Sequence, residues 1–175
     1  MDTLRVGVIG LGIGKRHLQS YAGMTGVQIT AVADPDAGRL QECATRYGAA
    51  AFEDGDTLLR SGTVDAVSIC TPPALHRVLT VLAAGLGVHV LCEKPMAPTL
   101  ADCDAMIEAC EAGGVCLMVA QKKRFHPLVQ RVRSLSEGPL GDIRWAVVKY
   151  ALGRVNMPWF WDDNDGGGPL QENSI

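Results

Sequence analysis

Short apolar runs alternate along the chain with segments whose apolar positions recur at helical spacing. Val6-Gly7-Val8-Ile9 is the first run, and Leu18, Tyr21 and Ala22 follow on one helix face. Val27 to Ala33 predicts a second strand, closed by Asp34-Pro35. Leu40, Cys43, Ala44 and Tyr47 stand at i, i+3, i+4 and i+7 and predict a helix, with Gly48 as its left-handed stop. Ala49 to Phe52 reads as a weak third strand, followed by a short helix around Thr57-Leu58-Leu59. Ala66 to Cys70 is the fourth strand, ended by Pro72-Pro73, and Leu75, Val78, Leu79 and Leu82 predict the apolar face of a helix that Gly85 terminates. Val88 to Cys92 is the fifth strand. Thr99 with Asp102 resembles a capping box for a helix to about Ala112, stopped by Gly113-Gly114 before a sixth strand at Val115 to Val119.

Strands this continuously apolar, alternating with helices, imply a parallel sheet covered on both faces. Right-handed crossovers reduce the topologies to few, of which the doubly wound α/β sheet is the natural choice. After about Gln121 the character changes. Leu128, Val132 and Leu135 suggest another helix, Ile143 to Tyr150 a strand, and an irregular stretch follows with Trp159-Phe160-Trp161 and Gly166-Gly167-Gly168. The expected organisation is a first domain over residues 1–121 and an incomplete second α+β domain over 122–175.

Composition narrows the class. Of 175 residues, 47% are hydrophobic and 20% charged, as in a globular protein, and a net charge of −3 gives no reason to expect nucleic acid or an anionic membrane as partner. No apolar run approaches the ~20 residues of a membrane span, and the amino terminus lacks a signal-peptide pattern, so a cytoplasmic protein is expected. The six cysteines contain no C-x-x-C pair and none sits at metal spacing from a histidine, so reduced structural thiols are expected and no metal.

The chemistry gathers after the strands. Gly10-Leu11-Gly12-Ile13-Gly14-Lys15 joins the first strand to a helix, where missing side chains let a diphosphate approach backbone N–H groups. The full G-x-G-x-x-G fingerprint would place its third glycine at position 15, so this one comes a residue early. Asp34 ends the second strand where this fold places the acid that accepts adenosine ribose hydroxyls; it could equally cap the next helix. A carboxylate there disfavours a 2′-phosphate and Arg39 partly offsets it, so NAD is favoured over NADP. Thr71-Pro72-Pro73 after the fourth strand and Glu93-Lys94-Pro95 after the fifth face the same crevice. Lys94, otherwise a surface lysine, could hydrogen-bond a substrate hydroxyl and stabilise a developing alkoxide. Of the histidines, His89 reads as structural, His17 and His76 could line the crevice or cap a helix, and His126 in Arg124-Phe125-His126-Pro127 could face the substrate space with Arg124. No serine or cysteine is recognisable at relay spacing from a histidine, so hydrolase chemistry finds no support.

With these residues the chain resembles the Gfo/Idh/MocA oxidoreductases. The matching words are Val6-Gly7-Val8-Ile9-Gly10-Leu11-Gly12, His17, Ala33-Asp34-Pro35, Cys70-Thr71-Pro72-Pro73 with His76, Glu93-Lys94-Pro95 and Arg124-Phe125-His126-Pro127. The resemblance implies an NAD(P)-dependent enzyme acting on a sugar, cyclitol or related polyol. It implies cofactor contacts at Gly10, Gly12, Ile13, Gly14, Asp34, Arg39, Thr71, Pro72, Pro73, His76, Glu93 and Lys94. It also implies a Lys-Pro peptide that is often cis, and a second domain whose sheet covers the substrate and forms the interface of a homo-oligomer. The family's second motif has a glycine triplet, an aspartate and then a histidine. Gly166-Gly167-Gly168 fits the triplet, Glu172 stands where the aspartate would be, and the histidine would be the residue after Ile175.

The expectation is therefore a truncated piece of a longer enzyme, with Lys94 and Glu172 as its catalytic groups and little turnover from these 175 residues alone. A tail that packs against its own first domain or a partner is the other possibility. The competing function is a non-catalytic NAD(P)-binding regulator or interaction protein, suggested by the shortened glycine turn and by Glu172.

Overall fold

The computed structural model describes residues 3–139, 141, 142, 144, 145, 147 and 158–161. Six strands, β1 (Leu4–Ile9), β2 (Val27–Ala33), β3 (Ala50–Phe52), β4 (Ala66–Ile69), β5 (His89–Cys92) and β6 (Leu117–Val119), form one sheet in the order β3-β2-β1-β4-β5-β6. Every neighbouring pair is parallel. The helices are α1 (Gly14–Ala22), α2 (Ala37–Tyr47), α3 (Gly55–Arg60), α4 (His76–Gly85) and α5 (Leu100–Ala112). The chain first winds outward from β1 to β3, then returns to β4 on the other side of β1. That reversal opens a crevice beyond the carboxyl ends of β1 and β4, the place where such sheets bind ligands.

Two apolar clusters explain the unbroken apolar strands. One joins Val6, Val8, Ile29 and Val32 to Leu11, Leu18, Leu40 and Cys43 on the α1/α2 side. The other joins Ile9, Ala31, Val67, Ile69 and Val90 to Leu58, Leu79, Ala83 and Met106 on the side of α3, α4 and α5. With both faces covered, strand residues of either orientation must be apolar. Two local signals hold. Gly48 closes α2 at φ 65, and the Thr99 hydroxyl accepts from the Asp102 N–H at 3.1 Å to start α5.

Two local readings are corrected. The cap of α2 is Asp36, whose carboxylate accepts from the Arg39 N–H, and not Asp34. The apolar face assigned to α4 holds only in part: Leu79 is buried and Leu82 packs against the core, but Leu75 and Val78 are 46% and 52% exposed, and His76, Thr80 and Ala83 are buried instead. Small residues on that face let α4 lie close to the sheet and α5, a packing that hydrophobicity counts alone miss.

Among the described residues, those of 3–120 and 158–161 form one compact unit and those of 121–147 another. In the first, Phe160 is 3% exposed and meets Trp161 edge to face, ring centroids 5.0 Å apart. Trp161 itself and, in the other unit, Trp145 are exposed. In the second unit, α6 (Pro127–Ser136) starts at His126, whose Nδ1 accepts from the Leu128 N–H at 3.3 Å. The strand expected at 143–150 lies outside the described residues except for Arg144, Trp145 and Val147, which carry no regular structure. The glycine triplet and Glu172 also lie outside them.

Candidate functional site

The turn after β1 is built for close backbone approach. Gly10 adopts φ +88, and a Cβ there would lie 2.6 Å from the Cys70 carbonyl oxygen. Gly14 sits against the sheet, where a Cβ would come 2.7 Å from Val8 Cγ1. Gly14 therefore supplies the close helix–strand packing that the third glycine of the fingerprint serves, although it comes a residue early. Between them, a Cβ on Gly12 would meet nothing within 4 Å. No side chain caps α1 and no acidic residue stands in its first turn, so its N-terminal partial positive charge is open to an anion. Ile13 places an exposed apolar side chain at the mouth of this turn.

Asp34 lies beside the turn, 4% exposed. Its Oδ2 accepts from the Leu11 N–H at 2.6 Å and its Oδ1 from the Asp36 N–H at 2.9 Å. Arg39 Nη2 stands 3.3 Å from Asp34 Oδ1, and its Nε stands 3.4 Å from Asp36 Oδ2. A carboxylate offers about four lone-pair sites, so capacity remains for a ribose hydroxyl.

Across the crevice, the segments after β4 and β5 are tied together. His76 is fully buried; its Nε2 is 2.9 Å from the Thr71 carbonyl, and its Nδ1 lies 3.0 Å from the Pro95 carbonyl and 3.2 Å from that of Met96. With both ring nitrogens turned to backbone, His76 braces the crevice walls. Pro73 is buried, Pro72 leads into the 3-10 turn Pro73–Leu75, and the Thr71 hydroxyl is buried with no partner among the described residues. The Lys94–Pro95 peptide is cis and Lys94 is half-buried.

Glu93, buried at the end of β5, joins a row of polar groups. Its Oε2 accepts from the Lys94 N–H at 3.0 Å, and its Oε1 lies 3.1 Å from His17 Nε2. His17 Nδ1 is 3.1 Å from Ser68 Oγ, which is 2.6 Å from the Tyr21 hydroxyl. Burial pushes the Tyr21 phenol up from its ordinary value. A serine thus does stand beside a histidine and a carboxylate, a grouping that sequence spacing did not reveal. The signal available was one polar residue, Ser68, in an apolar strand. Ser68 is fully buried and already bonded to Tyr21, so it is no substrate-facing nucleophile.

The remaining residues read from the sequence lie elsewhere. Arg124 Nη1 donates to Gln121 Oε1 at 3.2 Å, and His126 caps α6, both within the second unit. His89 Nδ1 accepts from the Cys116 N–H at 3.0 Å, a structural role. Cys92, next to Glu93, is fully buried with its thiol pushed up to about 12 by burial, which makes it unreactive. Among the described residues no group of three His, Cys, Asp or Glu side chains is placed to hold a metal, and no helix is long and apolar enough to cross a membrane.

The sequence model of the Gfo/Idh/MocA oxidoreductases, described as an oxidoreductase family with an NAD-binding Rossmann fold, matches residues 4–121. The chain belongs to this family. Among curated members, it is 38% identical to a D-apiose dehydrogenase of Paraburkholderia graminis over 82% of this chain and 39% of that protein. It is 42% identical to the scyllo-inositol 2-dehydrogenase (NADP(+)) of Bacillus subtilis over 71% of this chain and 38% of that one. The structure of the WlbA dehydrogenase of Bordetella pertussis, in complex with NADH and UDP-GlcNAcA, superposes with a TM-score of 0.75 at 31% identity, covering 78% of this chain and 42% of that one. The chain spans about two-fifths of the length of these Gfo/Idh/MocA relatives. Its own residues fit the dinucleotide: the space over Gly12 is open, no side chain caps α1, and the Thr71 hydroxyl in the segment after β4 is buried with no partner among the described residues.

Proposed function

We propose that this chain carries the cofactor-binding part of an NAD(P)-dependent oxidoreductase that moves a hydride between nicotinamide and a carbinol carbon of a sugar, cyclitol or related polyol. The observation that carries the reading is the pairing of the Gly10–Gly14 turn and Asp34 with Glu93-Lys94-Pro95 at the carboxyl edge of one sheet. Gly12 and the start of α1 hold a diphosphate, Asp34 accepts ribose hydroxyls, and Ile13, Arg39, Thr71, Pro72 and Pro73 complete the cofactor walls, braced by His76. NAD is favoured because the Asp34 carboxylate opposes a 2′-phosphate. When bound, the nicotinamide supplies the carbon that accepts or gives hydride. Lys94 orients the substrate hydroxyl and stabilises the charge that develops on its oxygen as a base takes the hydroxyl proton and the hydride leaves the carbon, or the reverse when a ketone is reduced. Glu172 is assigned beside Lys94 as a catalytic group and Arg124 and His126 to the substrate, in a second domain that begins near residue 122 and forms a homo-oligomer interface. Cysteines that are free throughout suit a reducing cytoplasm.

The test pairs NADH and NADPH titrations of this chain with NAD reduction by the full-length gene product across a panel of sugars and polyols. Lys94→Ala is expected to lower turnover by roughly 10²–10⁴-fold while the NADH Kd holds within about threefold. Absence of binding by either nucleotide overturns the reading. Binding without turnover on any polyol would instead make the protein a cofactor-dependent regulator.

A further inference from the structure

The row Tyr21–Ser68–His17–Glu93 has a direction that follows from chemistry. An ionised carboxylate only accepts, so Glu93 takes the Lys94 N–H on Oε2 and an N–H from His17 Nε2 on Oε1. With the ring hydrogen on Nε2, Nδ1 is left to accept from the Ser68 hydroxyl, and the Ser68 oxygen then accepts from the Tyr21 hydroxyl. Every hydrogen in this row points towards Glu93, and Ser68 and His17 each donate one bond and accept one. Such a row costs desolvation that an apolar core would avoid, and neighbouring β4 positions are Val67 and Ile69. Its ends are what distinguish it. His17 lies three residues inside α1, the helix whose first turn faces the diphosphate, and Glu93 ends on the backbone N–H of Lys94 itself. The side chains of His17 and Glu93 are only 13% and 10% exposed, so water competes little for these bonds.

We propose that His17, Ser68 and Glu93 are positioning residues that lock the Lys94 backbone and link it mechanically to the cofactor-binding end of α1. The inference rests on the proposed function for its purpose, though not for its geometry. Occupation of the α1 terminus steadies His17, His17 steadies Glu93, and Glu93 holds the Lys94 peptide so that its ammonium is presented in one direction. Ser68 fixes the ring from behind by occupying Nδ1. The link is absent when the ring is removed and persists when a side chain restores the Nε2–H donor. Glutamine does so, because its amide nitrogen reaches about as far as Nε2.

Three measurements test it on the whole chain. Nitrogen-15 spectra of the unliganded protein are expected to show His17 neutral at Nδ1 and protonated at Nε2; the opposite tautomer overturns the proposal without reference to any cofactor. Amide exchange at Lys94, with and without NADH, is expected to slow on NADH addition in the wild type. His17→Ala abolishes that slowing while exchange in β1 and β2 stays unchanged, and His17→Gln restores it. Uniform loosening of the sheet in His17→Ala, or an unaltered NADH response at Lys94, leaves a merely structural network and refutes the link. In the full-length product, His17→Ala lowers kcat at least tenfold with KM for NAD within about threefold, and His17→Gln recovers most of it. If the wild type binds no NADH, the proposed function fails while the tautomer still decides the row. If NADH binds and Lys94→Ala loses turnover but His17→Ala keeps its kcat, only the link fails. Should His17→Ala not fold, Ser68→Ala replaces it, with mixed His17 tautomers and a weakened Lys94 response expected; an unchanged spectrum and response refute the proposal.

Discussion

Gly10 and Gly12 stand two residues apart in one turn, yet alanine at each should fail for opposite reasons. At Gly10 the left-handed φ of +88 costs an L-residue roughly 1–2 kcal/mol. The added Cβ would also lie 2.6 Å from the Cys70 oxygen and 2.9 Å from the Thr71 nitrogen, which are backbone atoms that cannot turn aside. The end of β4 must then move, and a total loss of about 3 kcal/mol or more of stability is expected, within the range for backbone strain. At Gly12 no atom lies within 4 Å of the added Cβ and φ is not positive. Stability should therefore stay level or rise by up to ~1 kcal/mol, because the unfolded chain loses freedom. That same empty space is where a diphosphate would approach the backbone. Losing two charge-assisted N–H bonds, at about 1.5–3 kcal/mol each, weakens NADH by about 10²–10⁴-fold. Urea unfolding followed by far-ultraviolet circular dichroism measures the first effect and NADH titration the second. A Gly12→Ala protein that binds NADH within threefold of the wild type, or a Gly10→Ala protein with an unshifted unfolding midpoint, would refute the reasoning.

Further outcomes follow from neighbouring groups. Asp34→Asn should weaken NADH and narrow its advantage over NADPH, because the carboxylate opposes a 2′-phosphate by up to ~4 kcal/mol per charge pair at about 4 Å; an unchanged ratio of the two Kd values counts against this role. The Thr57 N–H, and then its hydroxyl, hold the Asp54 carboxyl below its ordinary value at the start of α3. A folded-state value that is depressed means this stabilisation is complete above the unfolded carboxylate range and disappears as pH falls through the folded value. Asp54→Ala should thus cost ~0.5–2 kcal/mol at neutral pH. Its deficit should shrink in acid, and a pH-independent deficit would contradict the assignment. Burial raises the thiols of Cys70 and Cys92, whereas Cys116 is exposed. Alkylation at pH 8 followed by mass spectrometry should label Cys116 first and reach Cys70 and Cys92 only after unfolding.

What the sequence by itself determined rests on contacts a few residues long. The short apolar runs and 3.6-residue patterns, the stop at Gly48, the Thr99–Asp102 cap and the glycine turn are each complete within one strand, helix or loop. The doubly wound order followed because crossover handedness leaves little choice once β and α alternate. Tertiary structure alone decided the rest. Which face of α4 is buried depended on how closely its small residues approach α5 and the sheet. That Asp36 rather than Asp34 caps α2 depended on Asp34 being drawn to the Leu11 N–H across two strands. His17, Ser68 and Glu93 meet only because β1, β4 and β5 lie side by side, since residues this far apart carry no shared period along the chain.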